Sequence, residues 1–232
     1  GVLFFQCQNT PVETDPLFLP EGFESKVFVD KISETTRHIV VSPQGTVYTK
    51  FKKTSKEGSL AAMKDFDGDG VADSLVKFAN DTTIKGNGYA TAARIYKGYL
   101  YFSSELAVYR YKLDPDQLVP KGPLETVVID DHPHGMHEHI GKPIAFDNKG
   151  NLYVPFGAPS NTCQNPIRTP LQPGMDPCPQ LEDHGGIWVF DAEKLNQTQS
   201  DGKKYATGIR SIVGLDWNSQ DETLYAVVHG RD

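Results

Sequence analysis

Four of the seven histidines fall within eight residues, in the stretch His132-Pro133-His134-Gly135-Met136-His137-Glu138-His139. An imidazole titrates close to neutral pH, so histidines grouped in this way suit a proton acceptor entering a cleft, and they also suit a zinc ion. A protease-type zinc site sets its histidines on one helix in an H-E-x-x-H pattern, which is absent, and Pro133 and Gly135 oppose a helix. A catalytic base and a plain surface loop remain as readings. A second group runs Asp65-Phe66-Asp67-Gly68-Asp69-Gly70-Val71-Ala72-Asp73. Its carboxylates stand at the first, third, fifth and ninth loop positions, and Gly70 permits the tight turn that aims several oxygens at one point. Ca2+ is the ion such a loop fits, with Asp65, Asp67, Asp69, Asp73 and the carbonyl of Val71 as ligands. Val76 stands where an EF-hand has its closing glutamate, and the alternative is an acidic surface turn without a metal. With a metal, the expected role is structural.

A repeat must position these groups. Four segments share an alternating apolar run, a turn, and a second run ending in Leu or Val before Tyr: His38–Val41 with Val47-Tyr48, Ala92–Ile95 with Leu100-Tyr101, Pro143–Phe146 with Leu152-Tyr153, and Val213–Trp217 with Leu224-Tyr225. Period-two alternation around Gly or Asn/Asp turns predicts a β-hairpin in each. The tyrosines recur at steps of 53, 52 and 72 residues, the last step containing an extra Cys163 to Cys178 loop. A period near fifty with several short strands per unit predicts an all-β propeller, whose blades bury their faces only against one another. Four units would close the smallest kind of ring, and the chain stops at Asp232 directly after an apolar strand, so it is expected to be an incomplete wheel of about four blades. Only Glu193–Gln199 and Asp114–Leu118 have helix-like composition. Loops on one face of a propeller converge on its axis, so polar residues following the repeat strands are the natural site candidates.

A net charge of -7 opposes binding to a phosphate backbone, and no Lys/Arg cluster with interleaved aromatics offers a nucleic-acid surface. Lys50, Lys52, Lys53 and Lys56 read as a solvated loop. No run approaches the ~20 apolar residues of a membrane span. Residues 1–18 form an N-terminal extension ahead of a partial propeller over 19–232. Its apolar start before Cys7 reads either as the remnant of a lipoprotein leader with a lipid anchor at Cys7, or as a remnant or edge segment without one. Cys163 and Cys178 flank a Pro-rich stretch and suit a disulfide closing a loop, which implies an oxidising compartment; neither belongs to a C-x-x-C unit. Asn80-Asp81-Thr82 and Asn196-Gln197-Thr198 match the glycosylation acceptor pattern, which short tripeptides often do by chance.

Longer motifs carry a family resemblance. His139-Ile140-Gly141-Lys142-Pro143-Ile144-Ala145-Phe146, then Asn151 to Asn161, and Tyr205 to Trp217 ending in His229-Gly230-Arg231-Asp232 resemble the glucose/sorbosone dehydrogenase family, nearest its sorbosone branch. Leu19-Pro20-Glu21-Gly22-Phe23 resembles the opening of its first blade. The resemblance implies a six-bladed propeller that holds pyrroloquinoline quinone (PQQ) at one end of its axis with Ca2+ bridging cofactor and protein. It implies a periplasmic, secreted or cell-surface quinoprotein dehydrogenase that oxidises an aldose- or sorbosone-like sugar and passes electrons to an external acceptor. By the same resemblance His139, or else His137, takes the proton from the sugar. Arg210, Ser211, Lys142, Asn87 and Gly86 would contact the cofactor, and the carbonyls of Gly230 and Arg231 would ligate Ca2+. Departures are Ser211 where the family often has Asn, Gly86 where glucose dehydrogenases have Gln, and Ala158 at a position that is acidic there. The competing functions are a non-catalytic carbohydrate- or protein-binding propeller and a calcium-dependent lactonase-type propeller.

Overall fold

The computed structural model describes residues 17–80, 84, 92–132 and 139–230. Its strands form four antiparallel sheets, each a simple meander. The first blade holds β1 (Thr36–Val41), β2 (Val47–Phe51), β3 (Leu60–Lys64) and β4 (Ser74–Phe78). The second holds β5 (Ala92–Tyr96), β6 (Tyr99–Ser103), β7 (Ala107–Lys112) and β8 (Glu125–Ile129). The third holds β9 (Ala145–Phe146), β10 (Asn151–Phe156), β11 (Gly186–Asp191) and β12 (Lys203–Thr207), and β13 (Ile212–Asn218) with β14 (Thr223–Val228) form a two-stranded fourth. The first strands of the blades are neighbours, β1 packing on β5 and β9 on β13. Arg94 of β5 ties three of them together, donating to the carbonyls of Ile144 at 3.3 Å and Leu215 at 2.9 Å. Sheets set side by side with their first strands around one axis make a β-propeller.

All four predicted hairpins are the inner pairs of the blades. Tyr48 stands opposite Val40, Tyr101 opposite Arg94, Tyr153 opposite Ala145 and Tyr225 opposite Asp216. The recurring tyrosine explains the repeat. Tyr48, Tyr101 and Tyr153 are 2%, 1% and 5% exposed, each filling its blade's contact with its surroundings, whereas Tyr225 of the two-stranded sheet is 55% exposed. Full burial of such a side chain contributes roughly 1.5–3 kcal/mol, enough to impose one hydrophobic anchor per blade. Between the second and third blades, Tyr96 stacks on Phe146 at 4.3 Å and Tyr101 donates to the Ala192 carbonyl at 2.8 Å. Arg110 joins them, donating to Glu125 at 2.6 Å and to the Tyr101 hydroxyl at 2.9 Å with its plane 4.2 Å from the Tyr99 ring.

Two expectations are corrected. Lys50 is no solvated loop residue: it lies inside β2 and is 1% exposed, because the alternation that buries Tyr48 puts Lys50 on the same face, toward the second blade. Asp114–Leu118 is not helical despite its composition, nor is Glu193–Gln199 up to its last residue; among the described residues the helical turns are two 3-10 segments, Pro179–Leu181 and Gln199–Asp201. The 192–202 connection extends along the outer strand of the second blade, where Ile129 donates to the Gln197 carbonyl at 2.8 Å, so tertiary hydrogen bonds override its weak propensity.

Meander topology settles which loops share an end. The first-to-second and third-to-fourth strand connections lie at one end of every blade, and the remaining connections lie at the other. The acidic loop joins β3 to β4, whereas His139, Asn161, Arg210 and Gly230 all lie on connections of the opposite kind. The acidic loop therefore lies at the end of the blades opposite to these four residues.

Candidate functional site

His139 precedes β9 and has φ 55°, the left-handed region that non-glycine residues enter only when their surroundings hold them there. Gly157, just after β10, permits the close approach of this segment: a Cβ on Gly157 would lie 1.8 Å from the His139 carbonyl oxygen. The imidazole Nδ1 is 2.7 Å from the Ala158 carbonyl oxygen, which can only accept a hydrogen bond. Nδ1 is therefore the donor, which leaves Nε2 as the ring nitrogen open to chemistry in the cleft. Ala158 in turn donates its N–H to the Arg210 carbonyl at 2.8 Å. Two predicted residues from separate loops are thus fastened through a single alanine, at the same end of the wheel.

The Arg210 side chain continues the network. Its Nη1 donates to Asn161 Oδ1 at 3.0 Å, and its Nη2 reaches the carbonyls of Gly230 and, at 3.4 Å, His229. Asn161, Thr162, Gly208, Ile209, Arg210, Val228, His229 and Gly230 line a cavity of ≈ 690 Å³. That volume lies within the roughly 300–1,000 Å³ of small-molecule sites, and its wall offers a guanidinium beside peptide oxygens and apolar surface. An arginine in such a wall recognises planar carboxylates in bidentate fashion. Ser211 is 7% exposed and meets the same segment through its backbone, its carbonyl accepting the His229 N–H at 3.0 Å.

Lys142, expected among the cofactor contacts, is held in an ion pair. Its ammonium is 4% exposed, lies 2.7 Å from the Asp130 carboxylate and sits 4.9 Å from the Phe156 ring centroid. Asp130 begins and Lys142 ends the connection that carries the histidines, so this ion pair fastens the base of that loop. Gly86, Asn87, His137 and Arg231 lie outside the described residues.

At the other end, the acidic loop gathers Asp65, Asp67 and Asp73, with one oxygen of each within 4.8 Å of the others. Asp65 accepts the N–H groups of Gly68 and Gly70, each at 2.7 Å, and those bonds, Gly70's foremost, hold its carboxyl below the usual range. Asp69 instead accepts the Val71 N–H at 2.7 Å, while Lys26 donates to the Asp69 carbonyl. Three of the five predicted ligands converge, and Asp69 and Val71 bond to each other.

Sequence reasoning missed three buried polar groups. Arg110 carries no local signal, whereas Lys50 stands two residues after Tyr48 on the alternation that buries both. Asp147 has a signal too: in Asp147-Asn148-Lys149-Gly150-Asn151 its carboxylate accepts the N–H groups of Lys149 at 2.8 Å and Asn151 at 2.9 Å, an Asx turn readable from composition. It also takes the Tyr153 hydroxyl at 3.1 Å.

No family model matches the chain, and no curated protein does. Solved structures do. The holo PQQ domain of a pyranose dehydrogenase from Coprinopsis cinerea aligns at TM-score 0.64 and 18% identity over 86% of this chain and 45% of that one. A calcium structure of a Trichoderma reesei carbohydrate-active enzyme of family AA12 aligns at 0.65 and 16% over 88% and 48%. The PQQ-bound aldose sugar dehydrogenase of Streptomyces coelicolor aligns at 0.55 and 17% over 89% and 60%. The chain spans about half the length of the first two and shares their propeller fold.

Proposed function

We propose that this chain is part of a PQQ- and Ca2+-dependent dehydrogenase that oxidises a sugar, with the cavity at Arg210 as cofactor site and His139 as proton acceptor. The observation that carries the reading is the bond chain from the His139 imidazole through the Ala158 backbone to the Arg210 carbonyl, which fastens the two residues together at one end of the wheel. The donor set fits the cofactor, since a guanidinium wall suits an acid bearing several carboxylates. The Gly230 carbonyl, now accepting from Arg210, is an oxygen donor suited to Ca2+ once a carboxylate takes over the guanidinium.

PQQ held there with Ca2+ would supply a quinone able to accept a hydride, and with it two electrons, from the sugar carbon. The protein's own part is proton handling and placement. His139 Nε2 takes the hydroxyl proton as the carbon–hydrogen bond breaks, and Ala158 fixes the ring that does so. Arg210 orients the acid edge of the cofactor, Ser211 anchors the backbone beneath it, and the Lys142–Asp130 pair holds the loop bearing His139. Gly86, Asn87 and Arg231 complete the proposed contacts, with His137 as the second candidate base. Ca2+ at Asp65, Asp67 and Asp73 would be structural, because that loop lies at the opposite end of the blades.

The whole protein is proposed to be a six-bladed wheel over 19–232 and beyond, outside the cytoplasm, with an external electron acceptor and the 1–18 segment as its extension. The Cys163–Cys178 disulfide supports an oxidising compartment, and among the described residues no helix is long and apolar enough to cross a membrane. The test is reduction of a redox dye by a panel of aldoses after adding PQQ and Ca2+. Turnover that His139→Ala abolishes while PQQ uptake persists is expected. Lactone hydrolysis without PQQ, or carbohydrate binding without turnover, would replace this reading.

A further inference from the structure

Asn161 sits between two fastened residues. Ser160 is 2% exposed and its hydroxyl lies 2.6 Å from Gln180 Oε1. On the other side, Cys163 is joined to Cys178, and its carbonyl accepts the Met175 N–H at 2.9 Å. Gly174 presses on the residue between: a Cβ there would lie 1.9 Å from the Thr162 carbonyl oxygen, so only glycine permits the loop to close this tightly. Gly174, Met175 and Cys178 on the returning arm of the 163–178 loop thus fasten Thr162 and Cys163, and Gln180 just beyond it holds the Ser160 side chain, so Asn161 is fixed from both sides. Asn161 presents Oδ1 to Arg210 Nη1 at 3.0 Å.

A free arginine side chain loses much rotamer entropy when it binds a ligand, and a partner that holds it beforehand removes that cost from the binding step. An amide oxygen does so without cancelling the positive charge, as a carboxylate would. We infer that Asn161 is a positioning residue for the Arg210 guanidinium, and that the Cys163–Cys178 loop sets its position. The disulfide is then part of the cofactor site's preorganisation as well as a loop closure. The inference rests on the reading of this cavity as a PQQ site.

The test measures the PQQ dissociation constant by absorbance or fluorescence titration in the presence of Ca2+, independently of turnover. Asn161→Ala should weaken binding about tenfold, the size of one charged hydrogen bond lost from a preorganised contact. In an Arg210→Ala background the same substitution should change nothing, because Asn161 acts only through Arg210. The double variant Cys163→Ser/Cys178→Ser should lose a similar factor, with no further loss on adding Asn161→Ala. Should that variant not fold, Gly174→Ala, which keeps the disulfide and displaces Thr162, is expected to weaken PQQ binding in the same direction. Undiminished affinity in Asn161→Ala, or a loss that persists without Arg210, overturns the inference while leaving the cofactor site standing. Failure of the unaltered protein to take up PQQ instead removes the site reading, and the inference with it.

Discussion

Lys50 offers the sharpest energetic prediction, since a cation buried between two blades should destabilise the fold in a pH-dependent way. It is 1% exposed, and among the described residues its ammonium reaches one acceptor, the Phe51 carbonyl at 3.2 Å. Burial pushes it down from 10.5 to about 8. In the unfolded chain the group keeps its ordinary value, so between these two values the unfolded state binds more protons than the folded one, and stability must rise with pH across that window. At 1.36 kcal/mol per unit the full effect is about 3 kcal/mol. Lys50→Met keeps the chain length and removes the charge. The variant should exceed the unaltered protein by up to about 3 kcal/mol below pH 8, with the gap closing as pH climbs toward 10.5. Urea denaturation of both proteins at several pH values from 7 to 10 measures this, and comparing the two cancels the tyrosines that also titrate at high pH. Parallel stability curves would refute the claim that the buried ammonium titrates within this window.

Three further outcomes are expected. Arg110→Met leaves Glu125 without its 2.6 Å partner, Tyr101 without a donor and the third blade's Ala192 carbonyl without its 3.3 Å bond, and should lower the unfolding free energy by about 3 kcal/mol in urea, with an unchanged value refuting its role as an inter-blade pin. For Asp147, burial favours the neutral carboxyl but hydrogen bonds from Asn151, Lys149 and Tyr153 outweigh it and hold the group below the usual carboxylate range. Its contribution is present above the ordinary carboxylate value and lost as pH falls through the depressed one; Asp147→Ala should therefore destabilise by about 2 kcal/mol at pH 7 and by progressively less in acid, as read by thermal unfolding. Gly157→Ala should displace the His139 carbonyl and cut dye reduction much more than it weakens PQQ binding, and full turnover in this variant would show that the imidazole's placement is not limiting.

How much of this was legible in the sequence depended on whether the signal was local. The inner hairpins were, because alternation marks each pair and the recurring tyrosine is buried in the first three blades, and all four paired as expected. Strand β3 was not: Leu60-Ala61-Ala62-Met63-Lys64 carries helix formers, and its burial between β2 and β4 decides its state. The acidic loop was recognisable by spacing, but its end of the wheel follows from counting strands that composition does not delimit. His139 and Arg210 were found through motif resemblance, while their link through Ala158 and the close approach of Gly157 needed the fold. Lys142 was legible as a member of the motif but not as the partner of Asp130, since an ion pair across a twelve-residue loop leaves no spacing signature. Asn161 stood inside a quoted motif, and only the packing of Gly174 and the disulfide around it gives it a role.

The most direct measurement is a crystal structure of the protein with PQQ and Ca2+. The quinone is predicted in the cavity bounded by Asn161, Arg210 and Gly230, a carboxylate on the Arg210 guanidinium and His139 on the same side of the wheel. A quinone bound at the end that carries the acidic loop, or a cavity left empty of PQQ at saturating concentration, would contradict the account.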